Sequence, residues 1–301
     1  MIKQDFTSID QADHVVVSVS GGKDSTYLLW WAIQNVPRHK LKAVHAVVDL
    51  DWAETPDQVK KQCSFFGLSV ELVQAIDKDG NNKGIISKLL SPRIDRKTGE
   101  TKQNMFPGPG TQWCTSEIKV APIDKYIRTL QGNIAILIGE RYEESDNRAK
   151  LNAWRPKNKI STKTRTVVNY SPILQITEKQ VWEKIKELGA PVHPCYSREV
   201  SRCSCAVCIY SPDFEITVAA QYEPKLVQKY LEAEKQISHT FRYKKEKGLE
   251  IKQTIRQILE KALNFGWAKN YKNKKIPITE EAKKSIINLL ELVPGQSGAP
   301  E

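Results

Sequence analysis

The stretch VVVSVSGGKDSTYLLWWAI, running from Val15 to Ile33, constrains the fold more than any other part of the chain. Residues 15–20 are short, β-branched and flanked by turn formers, which predicts a buried strand. The run stops at Ser-Gly-Gly-Lys-Asp-Ser, and residues 26–34 follow as a helix-compatible apolar stretch. Two adjacent glycines let the backbone turn sharply and come close to a ligand. The free N–H groups at the start of the next helix favour a phosphate. Lys23 adds a cation, Ser20 and Ser25 add hydroxyls, and Asp24 can hold Mg²⁺ or the helix start. A plain strand-to-helix turn needs only one glycine and one cap. The pattern matches neither G-x-x-x-x-G-K-[ST] nor G-x-G-x-x-G, which excludes two common phosphate loops.

The alternation continues along the chain. Strands are predicted at residues 41–50, 68–75 and 133–139, and helices at 55–66, 116–130 and 177–188. Pro56 suits a first helical turn, and TEKQ opens the helix at 177–188 with a capping pattern. The order implies an α/β fold, a Rossmann-like, mostly parallel sheet with helices on both faces. Residues 76–112 read as irregular. Residues 146–166, with seven Lys/Arg and one Asp, read as a basic loop. Residues 214–262 read as helical and charged, 280–292 as a last helix and 294–301 as a frayed tail. The expected domains are 1–212, holding the glycine loop and the cysteines, and 213–301, a helical, basic extension.

The 301 residues carry a formal net charge of +11, which points to an anionic partner or to a well-solvated basic surface. No apolar run reaches the roughly 18–20 residues of a membrane span. The polar N-terminal stretch is not a secretory signal, so a cytoplasmic location is expected. Trp154 in the basic run, and Trp267 with Tyr271 in WAKNYKNKK, interleave rings with cations. That suits nucleic acid held by stacking, or a merely solvated lysine-rich surface. Four of the six cysteines, Cys195, Cys203, Cys205 and Cys208, lie within fourteen residues. Cys205 and Cys208 form C-x-x-C, so both thiolates can face one metal, and Cys195 and Cys203 compete for a further place. Thiolate-only ligation fits Zn²⁺ or a [4Fe–4S] cluster, and buried unligated thiols or disulfide exchange are the alternatives. Cys63 reads as core. Arg141 and Arg148 flank YEES just beyond a strand end, where open α/β sheets bind ligands. They can clamp phosphates, with Glu144 and Ser145 orienting them, or simply pair with Glu143 and Glu144. Asp49 can contact Mg²⁺ or ribose, and Lys119 a phosphate. His193 reads as a loop or core histidine.

SGGKDS, residues 20–25, resembles the PP-loop S-G-G-x-D-S of ATP pyrophosphatases, position by position. Further blocks resemble phosphoadenosine phosphosulfate (PAPS) reductase relatives, in the family order. They are DLDWAETPD (49–57), WCTSEIKVAPIDKYI (113–127), GERYEESDNRAKL (139–151), SPILQITEKQVWEKIKELGAPVHPCY (171–196) and SRCSCAVCIYSP (201–212). SHTFR (238–242) is similar to the tail of phage- and plasmid-borne members. The resemblance implies ATP bound by residues 20–25 and cleaved between its α- and β-phosphates. It implies Lys23, Asp24, Arg141 and Arg148 as catalytic residues. It also places Cys114 among the cluster ligands and favours iron–sulfur over zinc. The chain departs from the reductases in lacking E-C-G-L-H, whose cysteine attacks the sulfonucleotide, and in keeping an intact loop. Both departures favour ATP cleavage and resemble the PP-loop proteins of DNA phosphorothioation. The implied activity is adenylation of an acceptor for sulfur transfer. DNA is the implied acceptor and a cysteine desulfurase the implied sulfur source. The rivals are a sulfonucleotide reductase, a sulfate-adenylating enzyme and a non-catalytic nucleotide- or DNA-binding module.

Overall fold

A computed structural model describes residues 6–295 except 96, 109, 238, 247 and 248. Ser238 of SHTFR and residues 296–301 of the expected tail therefore lie outside the described residues. The chain begins β1 (His14–Ser18), α1 (Lys23–Asn35), β2 (Leu41–Val47), α2 (Thr55–Phe65) and β3 (Val70–Gln74). Then come α3 (Ile85–Leu90), β4 (Arg93–Ile94), β5 (Thr101–Lys102), a π-helical stretch Cys114–Val120, α4 (Ala121–Ile127) and β6 (Gly132–Leu137). Next are α5 (Asp146–Ala149), β7 (Trp154–Pro156), β8 (Arg165–Tyr170) and α6 (Glu178–Leu188). The last stretch holds α7 (Asp213–Tyr222), α8 (Pro224–Ile237), β9 (Arg242–Glu246), β10 (Leu249–Gln253) and α9 (Ile255–Phe265). It closes with β11 (Trp267–Lys269), β12 (Lys275–Pro277) and α10 (Glu280–Leu292).

The chain divides into two units. The first is Met1–Val47, Glu54–Ala75 and Lys119–Tyr196, and the second is Val48–Ala53, Ile76–Ile118 and Ser197–Glu301. The first holds a six-stranded sheet in the order β3-β2-β1-β6-β8-β7, parallel except for β7. Period-two geometry sends Val15 and Val17 of β1 into a core with Leu28, Leu29, Val59 and Val181, and Val16 into a second core with Ile127 and Ile134. Both faces are thus covered, as a parallel sheet requires. From β1 the chain winds outward through β2 and β3 on one side and through β6 and β8 on the other. The switch point therefore lies between β1 and β6, and the loops after these two strands flank the crevice where such sheets bind ligands. At α6, Thr177 accepts from Gln180 N at 3.2 Å while Gln180 Oε1 accepts from Thr177 N at 2.8 Å, the capping box expected of TEKQ.

In the second unit α7 packs against α8, α9 and α10, and α3 against α8. Residues 76–112, expected to be irregular, hold α3 and the β4–β5 hairpin. The helix is short and its start is fixed by a distant carboxylate. Asp49 accepts from Ile85 N at 2.9 Å and Ile86 N at 3.2 Å. The expected helical run 214–262 is broken by Pro224, which lacks an N–H donor, and by the β9–β10 hairpin. Glu234 is buried under that hairpin's flanks, where it accepts from Phe241 N at 2.6 Å and Ile255 N at 2.9 Å. Burial pushes its carboxyl up to about 8, against the pull of those two N–H groups and Arg256. Raised above its unfolded value, this carboxyl holds its proton more tightly when folded. Its stabilising contribution is complete below the unfolded pKa and is lost as pH rises toward 8. The thermal midpoint of wild type should therefore fall relative to Glu234→Gln between pH 5 and pH 8, on the order of several degrees. Parallel midpoints across that range would contradict this. No helix among the described residues is long and apolar enough to cross a membrane.

Candidate functional site

The glycine pair makes the turn that the sequence suggested. Gly21 has φ +83°, which favours glycine, and Gly22 is the N-cap of α1. Helix α1 starts at Lys23, earlier than the apolar pattern alone implies, so Lys23, Asp24 and Ser25 form its first turn. The N–H groups of that turn have no intrahelical acceptors, and the helix dipole makes the end attractive to anions. Ser25 Oγ donates to Gly22 O at 2.9 Å, and Ser20 Oγ to Ser25 Oγ at 3.4 Å. A Cβ on Gly139, just beyond β6, would come within 3.3 Å of Asp24 O. Glycine there lets the two crevice loops touch.

The charged residues close a ring in the first unit. Lys23 is only 5% exposed, and its Nζ lies 3.3 Å from Asp24 Oδ2 and 3.4 Å from Glu178 Oε1. Arg141, also buried, donates from Nε to Asp24 Oδ1 at 2.5 Å and from its guanidinium to Glu143 Oε2 at 2.9 Å. Glu143 Oε2 then accepts from Glu178 N at 2.7 Å. Two cations and three carboxylates thus surround the loop, Glu143 and Glu178 being neighbours, with a formal charge of −1 before any ligand arrives. Asp24 is the member shared by both cations. Glu144 accepts from Arg141 N at 3.0 Å and pairs with Arg148, while Ser145 caps α5 by accepting from Arg148 N at 3.3 Å. Lys119 lies partly buried in the π-helical stretch.

The segment Pro191–Tyr196 straps the loop from below. The Tyr196 hydroxyl accepts from Lys23 N at 2.9 Å. His193 Nδ1 accepts from Cys195 N at 3.0 Å, which leaves Nε2–H to donate to Thr55 Oγ1 at 3.1 Å. Gln62 Nε2 donates to Gly21 O at 2.9 Å and Pro191 O at 3.3 Å. His193 is thus buried and hydrogen-bonded at both ring nitrogens. Tyr196, Glu178 and Gln62 are residues at this loop that the sequence did not point to, whereas the Arg141–Glu143 pair was among the expected alternatives. The only signal for Tyr196 was its place at the end of the PVHPCY block.

The second unit holds Cys114, Cys203, Cys205 and Cys208, whereas Cys195 is fully buried in the first. Cys114, Cys205 and Cys208 all bear electrostatically on one tyrosine. Burial pushes the Tyr230 hydroxyl well above its ordinary value, and the charges of Cys205, Asp49, Cys208 and Cys114 raise it further. Burial also raises Tyr210, and Cys208 and Cys114 add to that rise. Such a set of clustered soft donors fits a thiophilic metal or an iron–sulfur cluster. Arg242, the last residue of SHTFR, ties down the cysteine loop. It donates to Ile209 O at 3.2 Å, to Ser211 O, and to Asp213 Oδ1 at 2.6 Å. Cys63 is separate, a fully buried core thiol that burial pushes up to about 12.

The basic run 146–166 is not a loop. It forms α5, β7 and the approach to β8, and several of its cations are internally neutralised. Arg155 pairs with Glu140 and donates to Ser171 Oγ at 3.1 Å, Lys157 pairs with Asp124, and buried Arg165 donates to Ile160 O at 2.9 Å. Trp154 stacks on Tyr170 at 3.9 Å between ring centres. These groups hold the sheet edge, so they are poorly placed to serve a nucleic acid.

A mostly parallel sheet with a glycine turn at its switch point defines a Rossmann-like α/β protein. Residues 14–211 match the phosphoadenosine phosphosulfate reductase domain, and the chain belongs to that family. It is 24% identical over 266 residues to an uncharacterized 37.8 kDa protein in the gpa 5' region of Escherichia phage 186, covering 74% of this chain and 75% of the phage protein. It is 30% identical over 146 residues to the adenosine 5'-phosphosulfate reductase of Burkholderia cepacia, covering 47% of this chain and 55% of the reductase. Among solved structures, the PAPS reductase of Candida auris in its phosphate complex aligns with a TM-score of 0.44 and 14% identity, covering 66% of this chain and 84% of that one.

Proposed function

We propose that this chain is an ATP-dependent adenylating enzyme that activates an acceptor for sulfur transfer. The observation that carries the reading is the Lys23–Asp24–Arg141 group at the glycine turn, two buried cations on one partly buried carboxylate at the N-terminus of α1. An acceptor oxygen attacks the α-phosphorus of ATP. The α–β bridging bond breaks, pyrophosphate leaves with the electron pair, and an adenylated acceptor remains. A sulfur nucleophile then displaces AMP. Lys23 and Arg141 would neutralise charge developing on the departing pyrophosphate, and the loop N–H groups would orient it. The ring's formal −1 charge favours a divalent cation entering with the nucleotide, and Asp24 is the carboxylate placed to meet Mg²⁺. Arg148 extends the cationic side through Glu144. The acceptor we favour is a DNA backbone phosphate, with a cysteine desulfurase as the sulfur source. Cys114, Cys205 and Cys208, with Cys195 or Cys203 in the fourth place, would hold a [4Fe–4S] cluster. Such a cluster would supply a soft site for handing on sulfur or electrons.

The test is pyrophosphate release from labelled ATP by the whole chain. Reduction of a sulfonucleotide without ATP turnover would replace this reading with that of a reductase. Tyr196 offers a second check, because its hydroxyl occupies an N–H that an anionic oxygen would use. Tyr196→Phe should tighten ATP binding by about threefold and lower unfolding stability by about 1 kcal/mol, one neutral hydrogen bond. Calorimetric titration and urea denaturation read the two effects. Weaker ATP binding would mean that the hydroxyl positions the loop rather than competes for it.

A further inference from the structure

We infer that the β11–β12 hairpin and its flanking aromatics form a contact surface for single-stranded nucleic acid. Residues 261–279 contain five lysines and no carboxylate. Lys269 and Lys275 stand directly opposite each other in the register, an arrangement that costs stability in an antiparallel pair. Lys269, Lys272, Lys274 and Lys275 are all exposed, and no ion pair joins them to a carboxylate among the described residues. This is the reverse of Arg155 and Lys157, whose charges are neutralised internally. The hairpin is also rigidly presented. Asn270 Oδ1 accepts from Lys272 N and Lys274 N, both at 3.0 Å, and Asn270 N donates to Lys274 O at 3.0 Å. Asn273 takes the left-handed conformation, φ 57°, that closes the turn.

The rings beside these cations favour unpaired bases. Phe265 stacks on Trp267 with centres 5.3 Å apart, and Lys275 Nζ lies 4.4 Å from the Trp267 ring centre. Phe265 is 57% exposed and Tyr271, at the hairpin tip, 56%. A duplex keeps its base faces stacked inside, whereas a single strand offers faces for Phe265 and Tyr271 and phosphates for the lysines. The inference shares with the proposed function only the class of acceptor, and it stands without ATP turnover.

The experiment is a fluorescence-anisotropy titration of the full chain, without ATP, against labelled 20-nucleotide oligo(dT), oligo(rU) and a duplex of equal length, at several salt concentrations. Tyr271→Ala should weaken single-strand binding about tenfold, the typical loss of one stacked base. The pair Lys272→Ala and Lys274→Ala should reduce the slope of log K against log salt by about 1.4, two phosphate contacts on a single strand. The equally exposed pair Lys225→Ala and Lys229→Ala on α8 serves as a control and should change affinity by less than twofold. None of these variants should alter pyrophosphate release from ATP alone, so failure here is separable from failure of the adenylation reading. The inference is overturned by unchanged affinity in Tyr271→Ala, by an equal loss in the α8 pair, by preference for duplex, or by tighter binding to vesicles of anionic lipid than to either oligonucleotide. Comparison of oligo(dT) with oligo(rU) tells which sugar the surface prefers.

Discussion

Lys23→Ala is expected to lower pyrophosphate release from ATP by about 100- to 1000-fold, the usual loss when one preorganised charge is removed from a phosphoryl-transfer site. The fold should survive. Lys23 is the first residue of α1, where alanine is a good helix former. Asp24 keeps its bond to Arg141 at 2.5 Å, so no carboxylate is left buried without a cation. Arg141→Ala should be comparably inactive but less stable. It strips Asp24 and Glu143 of their shared guanidinium, and truncating a buried ion pair exposes the remaining charge to an apolar setting. Lysine at position 141 should rescue stability better than turnover, since one ammonium cannot span both carboxylates as the guanidinium fork does. The measurements are steady-state pyrophosphate release and thermal unfolding of each variant. Turnover within tenfold of wild type in Lys23→Ala would remove the loop from the chemistry.

The parts of this site legible in the sequence are those built by local geometry. Strand, glycine pair and helix follow one another within about twenty residues, so the turn at Gly21 could be read from composition and spacing. The capping box at Thr177 was legible for the same reason. The charge ring was legible only where Arg141 and Glu143 sit two residues apart; Asp24 reaches Arg141, and Glu178 reaches Lys23, across long sequence separations, and no periodicity marks a residue as someone else's counter-ion. Nor was the fate of the run 146–166. Seven cations in twenty-one residues look like a solvated loop until Glu140 and Asp124 are seen opposite Arg155 and Lys157. Helix α3 was hidden because its first N–H groups are held by Asp49, which no local pattern announces. Arg242 shows the converse. Its motif was visible, but its work on the carbonyls of the cysteine loop is a matter of tertiary placement alone.

Protein purified without oxygen should be brown, with about four iron atoms per chain and the broad visible absorption of a [4Fe–4S] cluster. Cys205→Ser and Cys208→Ser should each lower the iron to less than about one atom, because a hydroxyl is a poor replacement for a thiolate on a soft metal. Cys114→Ser should do the same, as its place in the WCTSEIKV block implies. Cys195→Ser and Cys203→Ser, made separately, test which of the two fills the fourth place. Cys63→Ala is the control. That thiol is fully buried in the apolar core with Leu28, Leu29 and Val59, so its loss should leave the iron unchanged. Arg242→Ala should weaken cluster retention without removing a ligand, because it frees the carbonyls of Ile209 and Ser211 and loosens the loop that carries Cys205 and Cys208. Metal analysis and absorption spectra of each variant, read beside thermal unfolding, separate loss of ligand from loss of fold. A colourless protein holding stoichiometric zinc that is lost in the same variants would replace iron with zinc and keep the ligand set. A protein with neither metal would leave Cys114, Cys205 and Cys208 as a redox-active thiol group, and the adenylation reading would then have to stand on the loop of residues 20–25 alone.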